Sequence, residues 1–203
     1  MSLPNQLTVL RVILTPIFGV LLTLDDLRFK YLAFSIFVLA SLTDWYDGYI
    51  ARKYGNITST GKYLDPLADK LLISTAFGVF AYLGYIQFWM FLVIALRDII
   101  ITALRSYAIS TNKTFATSTL AKWKTAFQMF AIYLILIWII AKVQPNPPAI
   151  LTFVENWMLL ASLMWLVTFF TIGTGVSYMY VNRSHLKSLA IACYRVFVPT
   201  NVR

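Results

Sequence analysis

Long apolar stretches constrain this chain more than any other feature of its sequence. A helix needs about 20 mostly apolar residues to cross a bilayer, because its backbone polar groups must be satisfied within the segment. Hydrophobic residues make up 60% of the 203 residues and charged residues 12%, a balance that soluble globular domains rarely have. The sequence therefore predicts an all-α, polytopic membrane protein. Its six predicted transmembrane helices cover 6–24, 31–51, 64–84, 86–109, 120–142 and 150–181.

Short polar, glycine-containing or proline-containing breaks separate these stretches, and no second domain or low-complexity linker interrupts them. We therefore expect a single transmembrane domain over 1–203, with a basic cytoplasmic tail over 184–203. The tail mixes basic and apolar residues. It either lies along the anionic membrane surface or is a disordered basic tail.

The distribution of Lys and Arg predicts the orientation of the chain. Cytoplasmic loops of membrane proteins are enriched in these residues. One side carries Arg52, Lys53, Lys62 and Lys113 together with the basic tail, whereas the other side has Arg28, Lys30 and Lys142. Both termini are thus predicted to be cytoplasmic. The net charge of +9 is explained by contact with anionic lipid, without a nucleic acid partner.

The acidic residues are unusually concentrated. The chain has eight Asp and Glu residues, and four of them, Asp44, Asp47, Asp65 and Asp69, lie at the facing ends of the second and third predicted helices. A carboxylate near hydrocarbon costs roughly 2.5–3.5 kcal/mol, so it requires water, a cation or a partner. With one Cys and one His in the chain, a multi-histidine zinc site is excluded, and a metal site must rest on carboxylates.

The spacing of these acids predicts how they are arranged. Asp44 and Asp47 are three residues apart and Asp65 and Asp69 four apart, so each pair shares one helical face. The short connection predicts that the two helices are antiparallel neighbours. Four converging carboxylates repel one another unless divalent cations neutralise them. Hard oxygen ligands favour Mg²⁺ or Mn²⁺.

Small and basic residues between the acids are suited to a phosphate ligand. Gly48 and Ala51 leave a nearly bare patch of helix, Arg52 offers a planar donor fork, and Gly61 lies one turn before Asp65. Helix packing is an equally simple explanation of the small residues, and Arg52 alone fits a positive-inside anchor. A cation transporter is a further alternative, although transporter sites usually lie near the membrane midplane.

These residues form a motif that resembles the signature of the CDP-alcohol phosphotransferases. The chain reads D-x2-D-G-x2-A-R-x8-G-x3-D-x3-D from Asp44 to Asp69, with every fixed position present. The resemblance implies a six-helix membrane fold, commonly homodimeric, with two divalent cations, Mg²⁺ or Mn²⁺, at a site open to the cytoplasm. It also implies an enzyme of phospholipid biosynthesis in the bacterial inner membrane.

The resemblance also implies roles for individual residues. Asp44, Asp47, Asp65 and Asp69 would bind metal, and Asp69 would also serve as the catalytic base. CDP-diacylglycerol would be bound by residues of the signature and of the first helix: Asn5, Thr8, Gly48, Ala51, Arg52, Thr58 and Gly61.

Outside the signature, the chain is similar to the bacterial phosphatidylglycerophosphate synthases within this family, although that group usually has Glu at Asp98 and Gly at Ala121. This similarity implies glycerol 3-phosphate as the acceptor and phosphatidylglycerophosphate and CMP as products. Four cations on the fourth and fifth predicted helices are suited to bind the acceptor phosphate: Arg97, Arg105, Lys122 and Lys124. Asp98 either orients a neighbouring arginine or acts in catalysis. Serine, inositol phosphate or a second lipid are the alternative acceptors.

Overall fold

The computed structural model describes residues 3–54, 61–110, 119–156, 158–181 and 183. These residues form seven helices: α1 (Leu3–Thr23), α2 (Leu27–Tyr54), α3 (Gly61–Tyr82), α4 (Phe88–Ser110), α5 (Thr119–Val143), α6 (Ile150–Asn156) and α7 (Leu159–Val181). No strand occurs in this part of the chain. The all-α prediction is therefore confirmed for the described residues, and the first five predicted helices agree with α1 to α5 within a few residues.

The connections between helices have identifiable local causes. Asp26 lies directly before α2, and its Oδ1 accepts a hydrogen bond from the backbone N–H of Arg28 at 2.8 Å, as a residue that caps a helix N-terminus does. After α3, Gly84 has a φ of 77°, and the backbone N–H of Tyr85 bonds to the carbonyl of Phe80 at 2.9 Å. A left-handed glycine followed by such a bond ends helices efficiently.

The sixth apolar stretch, 150–181, was predicted as one helix, and this prediction is wrong in detail. The structure has two helices there, and Met158 between them has a φ of 47°, in the left-handed region that bulky residues seldom adopt. The seven residues of α6 are too few to cross a bilayer. The 23 residues of α7 are sufficient.

Aromatic and aliphatic side chains fill the interior of the bundle. The rings of Phe18 on α1 and Phe37 on α2 lie 5.3 Å apart, and Tyr133 on α5 packs edge-on against Phe37 at 5.2 Å. Gly19 lets α1 approach α3 closely, since a Cβ there would lie 3.1 Å from Cγ2 of Thr75. Small residues permit such close contact between membrane helices.

The outer surface of the bundle is also apolar. Every long helix carries exposed apolar side chains. Those that are more than half exposed include Val20, Leu39, Ile99, Ile137 and Phe169. A surface of this kind is stable where lipid replaces water as the solvent. Within the described residues, three helices are long and apolar enough to span a membrane: Gln6–Thr23, Trp123–Val143 and Leu159–Val181. The fold is that of a multi-pass membrane protein.

Two groups of charged contacts between helices lie towards the end of the bundle where α1, α3 and α5 begin and where α2, α4 and α7 end. Arg11 on α1 pairs with Asp44 on α2, and Asp98 on α4 contacts lysines of α3 and α5. At the opposite end, Lys30 donates to the carbonyl of Leu22. The predicted site residues thus belong to one end of the bundle, which we call the polar end.

Candidate active site

The first group of predicted site residues lies where α1 meets α2. Nη1 of Arg11 is 2.9 Å from Oδ1 of Asp44, and the arginine is buried whereas the carboxylate is about half exposed. The antiparallel packing of the two helices creates this contact, because α1 begins where α2 ends. Arg11 fixes one oxygen of Asp44 and leaves the side chain accessible from outside the bundle.

For the other three predicted metal ligands, the structure describes the position of the backbone but not of the side chain. Asp47 follows Asp44 on continuous helix, and Asp65 and Asp69 occupy the beginning of α3. The predicted three-residue and four-residue spacings therefore fall on regular helix, which places each pair on one face. The side chains of these three residues lie outside the described residues.

The second and third helices were predicted to be antiparallel neighbours, and they contact each other less extensively than this prediction implies. α2 and α3 are in contact, but each packs more extensively against α1. The long apolar faces of α2 and α3 are buried more effectively against α1, whose Gly19 permits close approach to α3. Helix α1 thus packs directly against both helices that carry the predicted metal ligands.

A second charged cluster lies deeper in the polar end. Both oxygens of Asp98 face cations: Oδ1 accepts from Nζ of Lys124, Nη1 of Arg97 is 3.1 Å from the same oxygen, and Nζ of Lys70 is 3.6 Å from Oδ2. Asp98 and Lys124 are almost completely buried. We call these four residues the Asp98 cluster.

Helix α7 completes the surroundings of Arg97. Nη2 of Arg97 donates to Oγ1 of Thr174 at 3.3 Å. Gly175, the next residue, leaves space for the arginine, since a Cβ there would lie 3.0 Å from its Cγ. Nε of Arg97 is buried and has no hydrogen-bond partner within the described part of the chain. The guanidinium therefore retains a donor for a further acceptor.

The remaining predicted site residues are described only in part. Thr8 on α1 is buried, and Asn5, Gly48, Ala51, Arg52, Gly61, Arg105 and Lys122 lie on helices α1 to α5 with their side chains outside the description. Thr58 lies outside the described residues altogether. Among the described side chains, no group of three His, Cys, Asp or Glu residues could hold a metal, and three of the four predicted ligands do not belong to that set.

Three residues of the site were not predicted from the sequence: Arg11, Lys70 and Thr174. Arg11 interrupts the first apolar stretch, and Lys70 directly follows Asp69, so both carried a visible signal. A threonine in an apolar helix carries none, because its contact depends on which face α7 turns towards α4.

A shallow, open apolar cleft lies on the outside of α2, beside the turn that carries Asp44. It has a volume of about 330 Å³ and is lined by Leu39, Leu42, Thr43, Trp45 and Tyr46. An apolar lining of this kind suits an acyl chain.

The amino-acid sequence matches a known family. The family profile described as CDP-alcohol phosphatidyltransferase matches residues 1–173. This chain belongs to that family.

Curated relatives align with most of the chain. The CDP-diacylglycerol–glycerol-3-phosphate 3-phosphatidyltransferase of Bacillus subtilis (strain 168) is 34% identical in an alignment of 199 positions that covers 92% of this chain and 98% of the relative. The protein of the same name from Pseudomonas fluorescens is 36% identical, over 93% of each chain. That from Rickettsia bellii is 33% identical, over 87% of this chain and 93% of the relative.

Proposed function

We propose that this enzyme transfers the phosphatidyl group of CDP-diacylglycerol to glycerol 3-phosphate, releasing phosphatidylglycerophosphate and CMP. The relatives that share about a third of its residues are named for this reaction. The observation that carries the acceptor assignment is the Asp98 cluster, in which three cations surround one carboxylate. Such an excess of positive charge inside a membrane protein requires an anion.

The carboxylates fit the divalent cations on which this family depends. Asp44 is half exposed and so is open to a ligand, and Asp47, Asp65 and Asp69 supply further oxygens of the type that Mg²⁺ and Mn²⁺ prefer. We propose that these four residues hold two such ions. Bound ions would neutralise the diphosphate of CDP-diacylglycerol and stabilise CMP as the leaving group.

The chain's own residues position the lipid substrate. We propose that Arg52 binds the diphosphate, that Gly48, Ala51 and Gly61 allow it to approach the helix backbone, and that Asn5, Thr8 and Thr58 contact the nucleotide. The apolar cleft beside Asp44 offers a place for an acyl chain. The headgroup would then face the polar end while the chains remain in the bilayer.

Asp69 would act as the general base. It would accept the proton of the primary hydroxyl of glycerol 3-phosphate as that oxygen attacks the lipid-linked phosphorus. A new phosphorus–oxygen bond forms to the acceptor, and the bond from the same phosphorus to the oxygen of CMP breaks. Arg97, Arg105, Lys122 and Lys124 would hold the acceptor phosphate during this step.

The proposal includes the arrangement of the whole protein in the membrane. Helices α2 and α3 carry the four aspartates of the site, which explains why they are less apolar than α1, α5 and α7. We propose that all six long helices cross the bacterial inner membrane as a single catalytic domain, with the polar end and both termini cytoplasmic. A homodimer is part of the proposal through family membership.

The experiment that tests this function is an acceptor comparison. Purified protein in lipid–detergent micelles is given CDP-diacylglycerol and Mg²⁺ with glycerol 3-phosphate, serine or inositol phosphate, one at a time, and CMP release is measured. We expect release with glycerol 3-phosphate, none after addition of EDTA, and none from Asp69→Asn. Release with serine alone would contradict the acceptor assignment, and release unaffected by EDTA would contradict the metal requirement.

A further inference from the structure

The Asp98 cluster joins four helices through a single carboxylate. Lys70 comes from α3, Arg97 and Asp98 from α4, and Lys124 from α5, while Thr174 of α7 accepts from Arg97. Three cations and one carboxylate leave a net charge of +2 among these residues. The carboxylate can hold the cations together, but it cannot neutralise all of them.

The three cations differ in how accessible they are. The side chain of Lys124 is 1% exposed, that of Arg97 is 10% exposed and that of Lys70 is 28% exposed. Lys124 therefore lies deepest in the cluster, whereas Lys70 combines contact with Asp98 and access from outside. Lys70 is thus the cation in this group that an incoming anion reaches first.

The position of Lys70 in the chain relates the cluster to the proposed chemistry. It occupies the same turn of α3 as Asp69, the proposed base. An acceptor whose phosphate lies against Lys70 and Arg97 is held next to the segment of backbone that carries the base. The buried Nε of Arg97, which lacks a partner within the described residues, supplies another donor on the same cluster.

We propose that Lys70 binds the phosphate of the acceptor and that Asp98 is the positioning residue that holds Lys70 and Arg97 together for this purpose. The inference rests on the proposed function and adds two residues to it. Without the carboxylate, three like charges repel one another and separate. With it, their spacing is set before the acceptor arrives, which reduces the ordering that binding requires.

The test compares Michaelis constants for the two substrates. Lys70→Met and Asp98→Asn are each expected to raise the KM for glycerol 3-phosphate about tenfold or more, because a charge-assisted hydrogen bond to phosphate is lost or misaligned. Their KM for CDP-diacylglycerol is expected to stay within about twofold of the wild-type value. The variants Lys70→Arg and Asp98→Glu keep the charge at each position. Their KM for glycerol 3-phosphate is expected to stay much closer to the wild-type value.

Lys142 is the matched control. It is half exposed, pairs with Glu155 at 3.0 Å and lies at the other end of α5 from Lys124. Lys142→Met removes the same charge and is expected to leave both KM values unchanged. An unchanged KM for glycerol 3-phosphate in Lys70→Met, or an equal rise for both substrates, overturns the inference.

A second measurement keeps the inference testable if a variant fails to fold. Wild-type protein is treated with a limiting amount of an amine-acetylating reagent, and modification of Lys70 and Lys142 is measured by mass spectrometry. Glycerol 3-phosphate is expected to protect Lys70 but not Lys142, whereas glycerol protects neither. Equal modification of Lys70 with and without glycerol 3-phosphate overturns the inference.

The two proposals fail in distinguishable ways. If the wild-type enzyme does not release CMP with glycerol 3-phosphate, the proposed function is wrong and the role of Lys70 falls with it. If the wild-type enzyme uses glycerol 3-phosphate and Lys70→Met retains its KM, the function stands and the role of Lys70 is wrong.

Discussion

At the scale of single residues, the pairing of Arg11 with Asp44 shows how an apolar helix contributes to a polar site. The guanidinium of Arg11 is 1% exposed and lies 2.9 Å from the half-exposed carboxylate of Asp44, which compensates its buried charge. Arg11 also offsets the negative charge of Asp44, one of the four predicted metal ligands. A bound divalent cation would offset the same negative charge.

Removing Arg11 should therefore destabilise the protein most when metal is absent. We expect Arg11→Met to lower the free energy of unfolding by about 1–2 kcal/mol in EDTA, less than for a fully buried pair because Asp44 is half exposed. Saturating Mg²⁺ should recover part of this loss, so its stabilising effect should be larger than in the wild type. Thermal unfolding in detergent micelles measures both quantities.

The ion pair of Lys142 and Glu155, at 3.0 Å with both side chains about half exposed, provides the comparison. Lys142→Met should change stability by at most about 0.5 kcal/mol, as exposed pairs do, with no dependence on Mg²⁺. An Arg11→Met protein as stable as the wild type in EDTA would show that Arg11 does not compensate Asp44.

The sequence indicated which charged residues belong to the site, but not which residues they contact. Asp44 and Arg97 stood out because charge is costly in an apolar stretch. That Asp98 contacts both Lys70 and Lys124 could not be predicted, because the rotation of three helices about their axes decides it. The spacing of residues in one helix predicts which of them share a face. It does not predict which face of the adjacent helix contacts them.

At the scale of helices, the contact of α4 with α7 determines where Arg97 can lie. Gly175 provides the space, since a Cβ at that position would be 3.0 Å from Cγ of Arg97, whereas nothing lies within 4 Å of a Cβ at Gly173. The two glycines, two residues apart on α7, form a matched pair for substitution.

We expect Gly175→Val to displace Arg97, to cost about 1–3 kcal/mol of stability as overpacking does, and to raise the KM for glycerol 3-phosphate. Gly173→Val introduces the same side chain on the exposed face and should leave that KM unchanged. Steady-state kinetics and thermal unfolding of the two variants make the comparison. Equal effects of the two substitutions would indicate a general effect on α7 and not a specific contact with Arg97.

The sequence predicted helices well where an apolar run ends in a break. α1 to α5 follow the predicted stretches because Asp26, Gly84 and other punctuating residues interrupt the runs. The division between α6 and α7 was missed, since methionine is not a residue type that predicts the left-handed conformation of Met158. Glu155 and Asn156 within the stretch were the available indications of a boundary.

At the scale of the entire protein, the proposed reaction requires that the polar end faces the cytoplasm. The chain offers its own reporter, because its single cysteine, Cys193, belongs to the tail that is predicted to be cytoplasmic and lies outside the described residues. A membrane-impermeant maleimide should label it in inverted membrane vesicles and not in intact spheroplasts.

Labelling is read as a mass shift of the purified chain, and detergent-solubilised protein serves as the control for reactivity. Labelling in intact spheroplasts would place the tail on the outer side. It would contradict the orientation that the Lys and Arg distribution predicts.

The central claim is that the carboxylates at the polar end form one site for divalent cations, and direct Mn²⁺ binding tests it without catalysis. Electron paramagnetic resonance of free Mn²⁺ in a titration with purified protein gives the number of bound ions and their affinity. We expect two ions per chain, weakened binding in Asp44→Asn and in Asp65→Asn, and wild-type binding in Lys142→Met. If both aspartate variants bound Mn²⁺ as the wild type does, the four aspartates would not form the metal site and the account would be wrong.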